Sequence, residues 1–315
     1  MGKFLAKRFT YHDYDEWCRL IECGRVTLNG ENYPPGSILS GGDILAYDVS
    51  DIEEPPVDFK LDIVADDEDL LIINKSGNLP CHPAGRYFSH TVWYWLRKEY
   101  GLPHPELVNR IDRETSGLVV IAKNREAAVK CRRQFELRRV DRRYLAIVEG
   151  RSFPQKIECN GWLVQDHESE VWKKRRLQPS SRKIKVDEDR AEWSETIFNR
   201  IEEAGALTLV EAMLQTGRQH QVRASLLSLG YPLVGDKIYG VDDTLFLRFR
   251  EDKLSDSDWE RLRMKRQALH AAELTLLHPR HQEPVTYNAP LPDDMNGLLK
   301  GSASYNTGLA SSSSC

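Results

Sequence analysis

The reading turns on Asn109-Arg-Ile-Asp-Arg-Glu-Thr-Ser-Gly117, followed at once by the apolar run LVVIA at 118–122. A carboxylate, Asp112, stands just ahead of a segment that reads as a buried strand, with Arg110 and Arg113 on either side. Neighbouring guanidinium groups favour the ionised form of such an acid. Gly117 permits a tight turn into the strand, and Thr115 and Ser116 can satisfy backbone groups of the loop. A salt-bridged loop of ordinary structural purpose fits this segment equally well when it is taken alone.

Two more segments downstream are polar within apolar surroundings. Arg143-Tyr-Leu-Ala-Ile-Val-Glu-Gly150 reads as a strand carrying Tyr144, and an aromatic on a strand is ordinarily core. Leu214-Gln-Thr-Gly-Arg-Gln-His-Gln-Val-Arg223 places a run of polar residues at a turn that enters a helix, where burial without partners is costly. Arg223 falls in the first turns of that helix, within reach of a carboxylate. Gly235-Asp-Lys-Ile-Tyr-Gly240 follows as a turn-rich loop.

The rest of the chain supplies the frame. Residues 1–50 read as a small module: a short helix from Asp15 to Cys23, a strand, an Asn29-Gly30 turn and a return strand, then a second glycine-rich turn and strand. Residues 51–58, DIEEPPVD, suit a stiff exposed linker. A large domain is expected over 59–295, with a helix capped by Ser89, a basic helix at REAAVKCRRQFELRR, strands at LTLVEAML and ALHAAELTLLHP, and a charged helical insertion at 242–266 packed outside the core. Residues 300–315 are low in complexity and are expected to be a disordered tail. Strands with interspersed helices and no regular βαβ alternation predict an α+β class, with a mixed, largely antiparallel sheet and a small N-terminal α/β module.

Composition narrows the function. The 315 residues are 40% hydrophobic and 29% charged with a net charge of −4, ordinary for a globular protein. No apolar run spans a bilayer and no secretory signal is evident, so a cytoplasmic location without membrane association is expected. The six cysteines are scattered without a CxxC pair, which fits idle thiols in a reducing compartment. Charge is segregated: residues 48–69 are acidic, whereas KCRRQFELRRVDRR (130–143) and VWKKRRLQPSSRKIK (171–185) are basic. Each basic run alone reads as a solvated face; together they suit phosphate contacts. Nucleotide-binding glycine motifs and metal-ligand spacings are absent from the sequence, so no cofactor and no metal are expected. His82, His220 and His270 read as hydrogen-bonded structural groups.

The three polar segments, in this order and spacing, closely resemble the RluA-type pseudouridine synthase family. RIDRETSG looks like its signature loop, RRYLAIVEG its second motif, TGRQHQVR…GYPLVGDKIYG its third, and IINKSGNLPCHP its strand ending in a Lys and a His-Pro pair. The signature opens with Asn109-Arg-Ile where the family usually carries His-Arg-Leu. The N-terminal pattern from Ile21 to Gly30, with Gly-Asp-Ile-Leu later, resembles the alpha-L (S-four-like) RNA-binding domain, although His12, Asp13, Asp15 and Glu16 stand where basic residues would help.

The resemblance implies an α+β synthase domain that isomerises uridine to pseudouridine in structured RNA. The small N-terminal module slightly favours ribosomal RNA over transfer RNA, and a monomer is expected. The resemblance implies Asp112 as the essential catalytic residue, Tyr144 as the aromatic stacking on the base, Arg223 as the ion-pair partner of Asp112, and Arg110 as the side chain that enters the RNA when the base is flipped out. Arg113, Lys75 and Arg218 are further candidates for RNA contact. The chemistry suits these residue types: a carboxylate can attack sugar or uracil or act as a base, and the freed uracil needs a dry aromatic pocket. The rival readings are an inactive RNA-binding protein that keeps the fold, a metal-free glycosidase using Asp112 with Glu114, and a purely structural partner-binding protein.

Overall fold

The structure, a computed structural model, describes residues 1–9, 12–50, 53–179 and 191–307. The chain divides into two compact units, Met1–Val57 with Pro80–Pro103, and Asp58–Leu79 with the rest from His104 onward.

In the first unit, helices α1 (Gly2–Arg8) and α2 (Tyr14–Glu22) pack over the antiparallel pair β1 (Val26–Leu28) and β2 (Leu45–Tyr47). Asp13 caps α2 by accepting from the Glu16 amide, and Trp17, Leu20 and Ile21 turn inward onto Leu5, Val26 and Leu28. The basic character sought on α2 lies instead on α1, whose Lys3, Lys7 and Arg8 are exposed. The expected linker is not free: the carboxylate of Glu54 accepts from the Phe88, Ser89 and His90 amides. With Tyr47 edge-on to Phe88, this anchoring joins residues 80–103 to the first unit. Ser89 is thereby occupied, and helix α3 (Val92–Lys98) is capped by Thr91 instead.

The second unit is built on one eleven-stranded sheet. Its strands are β3 (Leu61–Asp66), β4 (Leu70–Lys75), β5 (Glu106–Leu107), β6 (Ser116–Ala122), β7 (Asp141–Glu149), β8 (Lys156–Gln165), β9 (Arg175–Pro179), β10 (Glu192–Ala204), β11 (Leu207–Leu214), β12 (Leu269–Leu277) and β13 (Pro284–Asn288). The order is β3-β4-β6-β12-β7-β11-β10-β8-β9, with β5 on β6 and β13 on β12. Every pairing is antiparallel except β6 with β12, where His270 faces Ser116 and Ala271 faces Gly117. This parallel seam sets the start of β6 beside the start of β12, so the loop carrying Asp112 lies against the residues that precede Leu269.

All seven residues of β6 are buried, which is why it reads as an unbroken apolar run rather than an alternating one. Helix α4 (Arg125–Glu136) lays Ala127, Ala128 and Cys131 on β4, β6 and β12. Helix α5 (Gln221–Ser228) packs Val222 and Leu226 against β7 and β11. Helices α6 (Thr244–Arg250) and α7 (Asp256–Leu262) form the 242–266 insertion, with Ser255 and Asp258 closing a capping box at the start of α7. Helix α8 (Asp293–Thr307) buries Met295 and Leu299, so the chain remains helical well into the segment expected to be disordered; residues 308–315 lie outside the described residues. No helix among the described residues is long and apolar enough to cross a membrane.

Gly117 sits where β6 meets this seam, with φ +112, and a Cβ there would come within 2.2 Å of the Ala271 carbonyl oxygen. Neither the dihedral nor the neighbouring strand can yield without breaking the seam. Gly117→Ala is therefore expected to cost about 2–4 kcal/mol, in the range of strained backbone substitutions. Urea unfolding followed by circular dichroism should show a lower midpoint at unchanged slope; an unaltered midpoint contradicts the argument.

Candidate active site

The loop between Asn109 and Gly117 is fixed at nearly every residue. Asn109, standing where the resemblance leads one to expect His, accepts from the Val120 amide at 2.7 Å and thereby fastens the loop entry to β6. The Asp112 carbonyl accepts from the Thr115 amide, and the Arg113 carbonyl from the Leu79 amide. Thr115 Oγ1 accepts from Gln267 at 2.5 Å, and Ser116 Oγ pairs with His270 Nδ1 at 2.9 Å. Glu114 accepts from Lys237 Nζ at 2.9 Å and from Arg113 at 2.8 Å. The Asp112 carboxylate is left facing a cavity of about 140 Å³, lined among others by Lys173, Arg223, Ile238, Phe246 and Gln267.

Its principal partner is Arg223, at 2.8 Å through one terminal nitrogen. The remaining Nε and terminal nitrogen of Arg223 form a fork on Asp236, at 2.6 and 2.9 Å. Asp236 also accepts from the Ile238 and Tyr239 amides, and the Tyr239 ring lies 4.8 Å from the guanidinium carbon. Exposure falls along the chain of charges: 35% for the Asp112 side chain, 6% for Arg223 and none for Asp236. The buried end is locked and only Asp112 meets solvent.

Local backbone makes this possible. Gly235 has φ +72 and approaches the Arg266 carbonyl too closely for a side chain, which turns Asp236 inward. His220 adopts a left-handed conformation, φ 59, at the N-cap of α5, so the polar loop turns straight into the helix and Arg223 lands in its first turn. His220 Nδ1 is hydrogen-bonded to the Tyr239 hydroxyl at 2.9 Å, and its Nε2 lies 3.9 Å from Asp112.

These surroundings dictate protonation. Burial alone would raise the Asp112 carboxyl, but the facing Arg223 guanidinium outweighs it and holds the group below the ordinary carboxylate value. Asp236 is depressed by the same guanidinium against the same opposing burial. Burial and the Arg223 charge push His220 down to about 4, so it is neutral at pH 7. The site thus offers one ionised, partly exposed acid beside a neutral imidazole.

The other residues singled out from sequence take different places. Arg113 lines the cavity with its guanidinium 5.5 Å from the Phe249 ring. Arg110 is exposed at the start of the loop. Lys75 requires correction as an RNA contact: it has no exposed surface, and its ammonium donates to the Ser76 and Arg113 carbonyls, holding the Asp112 loop from behind. Arg218 is tied to the Trp193 carbonyl and Glu192 and is not among the cavity-lining residues. Tyr144 is not among them either; it sits in the transverse row Gly117–Ala271–Tyr144–Ala212, two strands over from β6. Asp236 and Lys173 were not picked out individually. The clue to Asp236 was the arginine itself, since one carboxylate engages a single edge of a buried guanidinium. Of the basic run 171–185, residues 180–185 lie outside the described residues.

The comparisons with known proteins now bear on this geometry. The RNA pseudouridylate synthase family profile matches residues 69–228. Ribosomal large subunit pseudouridine synthase D of Zymomonas mobilis is 33% identical over 253 residues, covering 78% of this chain and 74% of that protein. The mitochondrial tRNA pseudouridine(32) synthase of Saccharomyces cerevisiae is 31% identical over 242 residues, 75% of this chain and 49% of that protein. Human RNA pseudouridylate synthase domain containing 4 shares the fold, with a TM-score of 0.59 at 24% identity over 77% of this chain and 92% of that one. The chain belongs to the RNA pseudouridylate synthase family, isomerases that act on RNA.

The charge chain yields a stability prediction. Asp236→Asn leaves a buried arginine with less compensation and should cost about 3–5 kcal/mol at pH 7. Because the folded-state pKa of Asp236 lies below its ordinary 3.8, its stabilisation is full above that value and is lost as pH falls through the folded value. The stability gap between wild type and Asp236→Asn, measured by urea titration, should therefore narrow from pH 7 towards about pH 3; a constant gap would show that Asp236 carries no such charge.

Proposed function

We propose that this chain converts uridine to pseudouridine in structured RNA, ribosomal RNA in preference to transfer RNA, with Asp112 as the group that acts on the nucleoside. The observation that carries the reading is a carboxylate held ionised by a buried arginine and exposed to a small pocket. Isomerisation breaks the C1′–N1 bond and makes a C1′–C5 bond, so bond order balances and no metal or redox partner is called for. Asp112 would act on the sugar or the pyrimidine while Arg223 keeps it charged and aimed.

The uridine has to leave its stack to reach Asp112, at a cost of roughly a few kcal/mol. Arg110, exposed at the loop entry, suits the space the base vacates. Arg113, beside it, and exposed basic residues such as Arg138 and Arg139 suit phosphate contacts. Tyr144 is assigned the stacking face, on the strand next to the seam. Lys3, Lys7 and Arg8 on α1 add to the expectation that the first unit contacts RNA. The preference for ribosomal RNA rests on that unit and on bacterial relatives whose names specify the large ribosomal subunit.

Asp112→Asn keeps the shape and removes the charge. It is expected to lower tritium release from uracil-C5-labelled RNA by about 10⁴-fold or more, with RNA affinity within about threefold of wild type. Pseudouridine mapping of ribosomal and transfer RNA from cells with and without the protein then identifies the substrate. A wild-type protein that binds RNA and releases no tritium would establish the rival, an inactive RNA-binding protein on the same fold.

A further inference from the structure

Lys173 lies in the turn between β8 and β9 and lines the Asp112 cavity. It is half-buried, and among the described residues its ammonium has neither a hydrogen bond nor an ion pair; its nearest specific contact is the Phe246 ring of α6, 4.1 Å from Nζ to the centroid. Around it stand Arg113, Asp112 and Glu114 from the signature loop, His220 and Arg223 from the start of α5, and Lys237 from the loop after Gly235. Other cations nearby are satisfied: Lys237 by Glu114 and Arg223 by two aspartates. A partly buried ammonium that faces Asp112 across the cavity without a hydrogen bond or ion pair among the described residues is a position that a substrate oxygen completes.

We propose that Lys173 is a further catalytic residue, whose ammonium contacts a carbonyl oxygen of the target uracil and stabilises the negative charge that appears there during isomerisation. This rests on the pseudouridine synthase reading above. Asp112, Arg223 and Asp236 are two carboxylates and one guanidinium, which leave one negative charge, and Lys173 balances it. In each route open to Asp112 that charge moves to the pyrimidine. If the carboxylate captures C1′, the C1′–N1 electron pair departs with uracil. If it removes the 2′ proton, the same pair departs as the C1′–C2′ double bond forms. If it adds to C6, the C5–C6 π electrons pass to the C4 oxygen. Each step neutralises Asp112 and charges a uracil oxygen, which Lys173 then faces. When C5 bonds to C1′ the uracil charge is discharged: in the first route the carboxylate leaves C1′, in the second the 2′ proton returns to C2′, and in the third the C1′–N1 bond breaks and the carboxylate is then expelled from C6. The C5 proton leaves to a base and N1 gains a proton.

A cation serving only the charged species raises the rate of the chemical step rather than the affinity for RNA. Burial and the facing Arg223 and Arg113 charges lower the Lys173 ammonium to about 8, so its contribution fades as pH rises through that value. The test uses the full chain and total cellular RNA labelled with tritium at uracil C5, taken from cells lacking the protein. Lys173→Met should lower the single-turnover rate at least 100-fold with RNA affinity within threefold and an unchanged melting curve, and should abolish the loss of rate near pH 8. Lys173→Arg should restore at least a tenth of the rate and carry it to higher pH. A Lys173→Met protein that loses affinity in proportion to rate has lost a phosphate contact, which overturns the proposal, as does one with wild-type rates. Absence of tritium release by the wild type overturns the pseudouridine reading itself and is seen before any variant is compared.

Discussion

A single guanidinium shared between two carboxylates organises the second unit around one exposed atom group. Arg223 commits two nitrogens to Asp236, which has no exposed surface, and the third to Asp112, which meets solvent. The division is forced by geometry. Asp236 is pinned by two backbone amides at the Gly235 turn, so it cannot rotate towards solvent, and the planar fork it grips fixes the direction of the remaining nitrogen. A lysine in place of Arg223 could neutralise either acid but could not transmit orientation from one to the other. The desolvation of such a set costs several kcal/mol per ion before pairing recovers it, so this arrangement is weak evidence for stability and stronger evidence for a function that needs an oriented acid.

The sheet exists to bring these groups to one place. Asp112 comes from the loop before β6, Gln267 from the residues before β12, Arg223 from the first turn after β11, and Asp236 from the turn beyond α5. The parallel seam between β6 and β12 joins the loop side to the rest, and Gly117 permits it because no side chain fits against Ala271. Lys75, buried beneath the loop, donates to the Arg113 carbonyl and so resists any outward movement of Asp112. The groups behind Asp112 are tied by hydrogen bonds, while the groups in front of it, Lys173 and Phe246, come from a turn and an inserted helix.

Much of this was legible in the residues. The apolar run after Gly117 announced a strand covered on both faces, and the polar density at 215–223 announced a turn whose groups had to find partners inside the molecule. The Asp112–Arg223 pair followed from the family resemblance and is met at hydrogen-bond distance. What the sequence concealed has physical causes. Lys75 looks like an accessible cation because charge pattern carries no information on burial, and its partners are main-chain carbonyls that leave no mark in a sequence. Glu54 sits in a stretch composed like a linker, yet its carboxylate gathers three amides from residues 88–90, a contact set by tertiary structure alone. Small polar residues likewise give no sign that α8, held down ahead of residue 300 by Met295 and Leu299, runs on to Thr307.

The insertion at 242–266 shows most clearly why composition misleads. Its charges read as a solvated appendage, and several are indeed spent on one another, with Arg248 paired to Asp258 and Arg261 to Asp242. The residues that matter are the aromatics between them. Phe246 lies over Lys173, Phe249 over both Lys237 and Arg113, and Trp259 over Lys237 from the second helix. Aromatic faces attract cations while excluding water, so these rings hold three basic side chains beside the Asp112 loop; Lys237 and Arg113 are also paired with Glu114, whereas Lys173 has the Phe246 ring and no ion pair among the described residues. A carboxylate in the place of Phe246 would satisfy Lys173 and remove it from use by RNA. The insertion therefore acts on the pocket through its apolar residues, and its visible charges serve mainly to keep the two helices folded against each other.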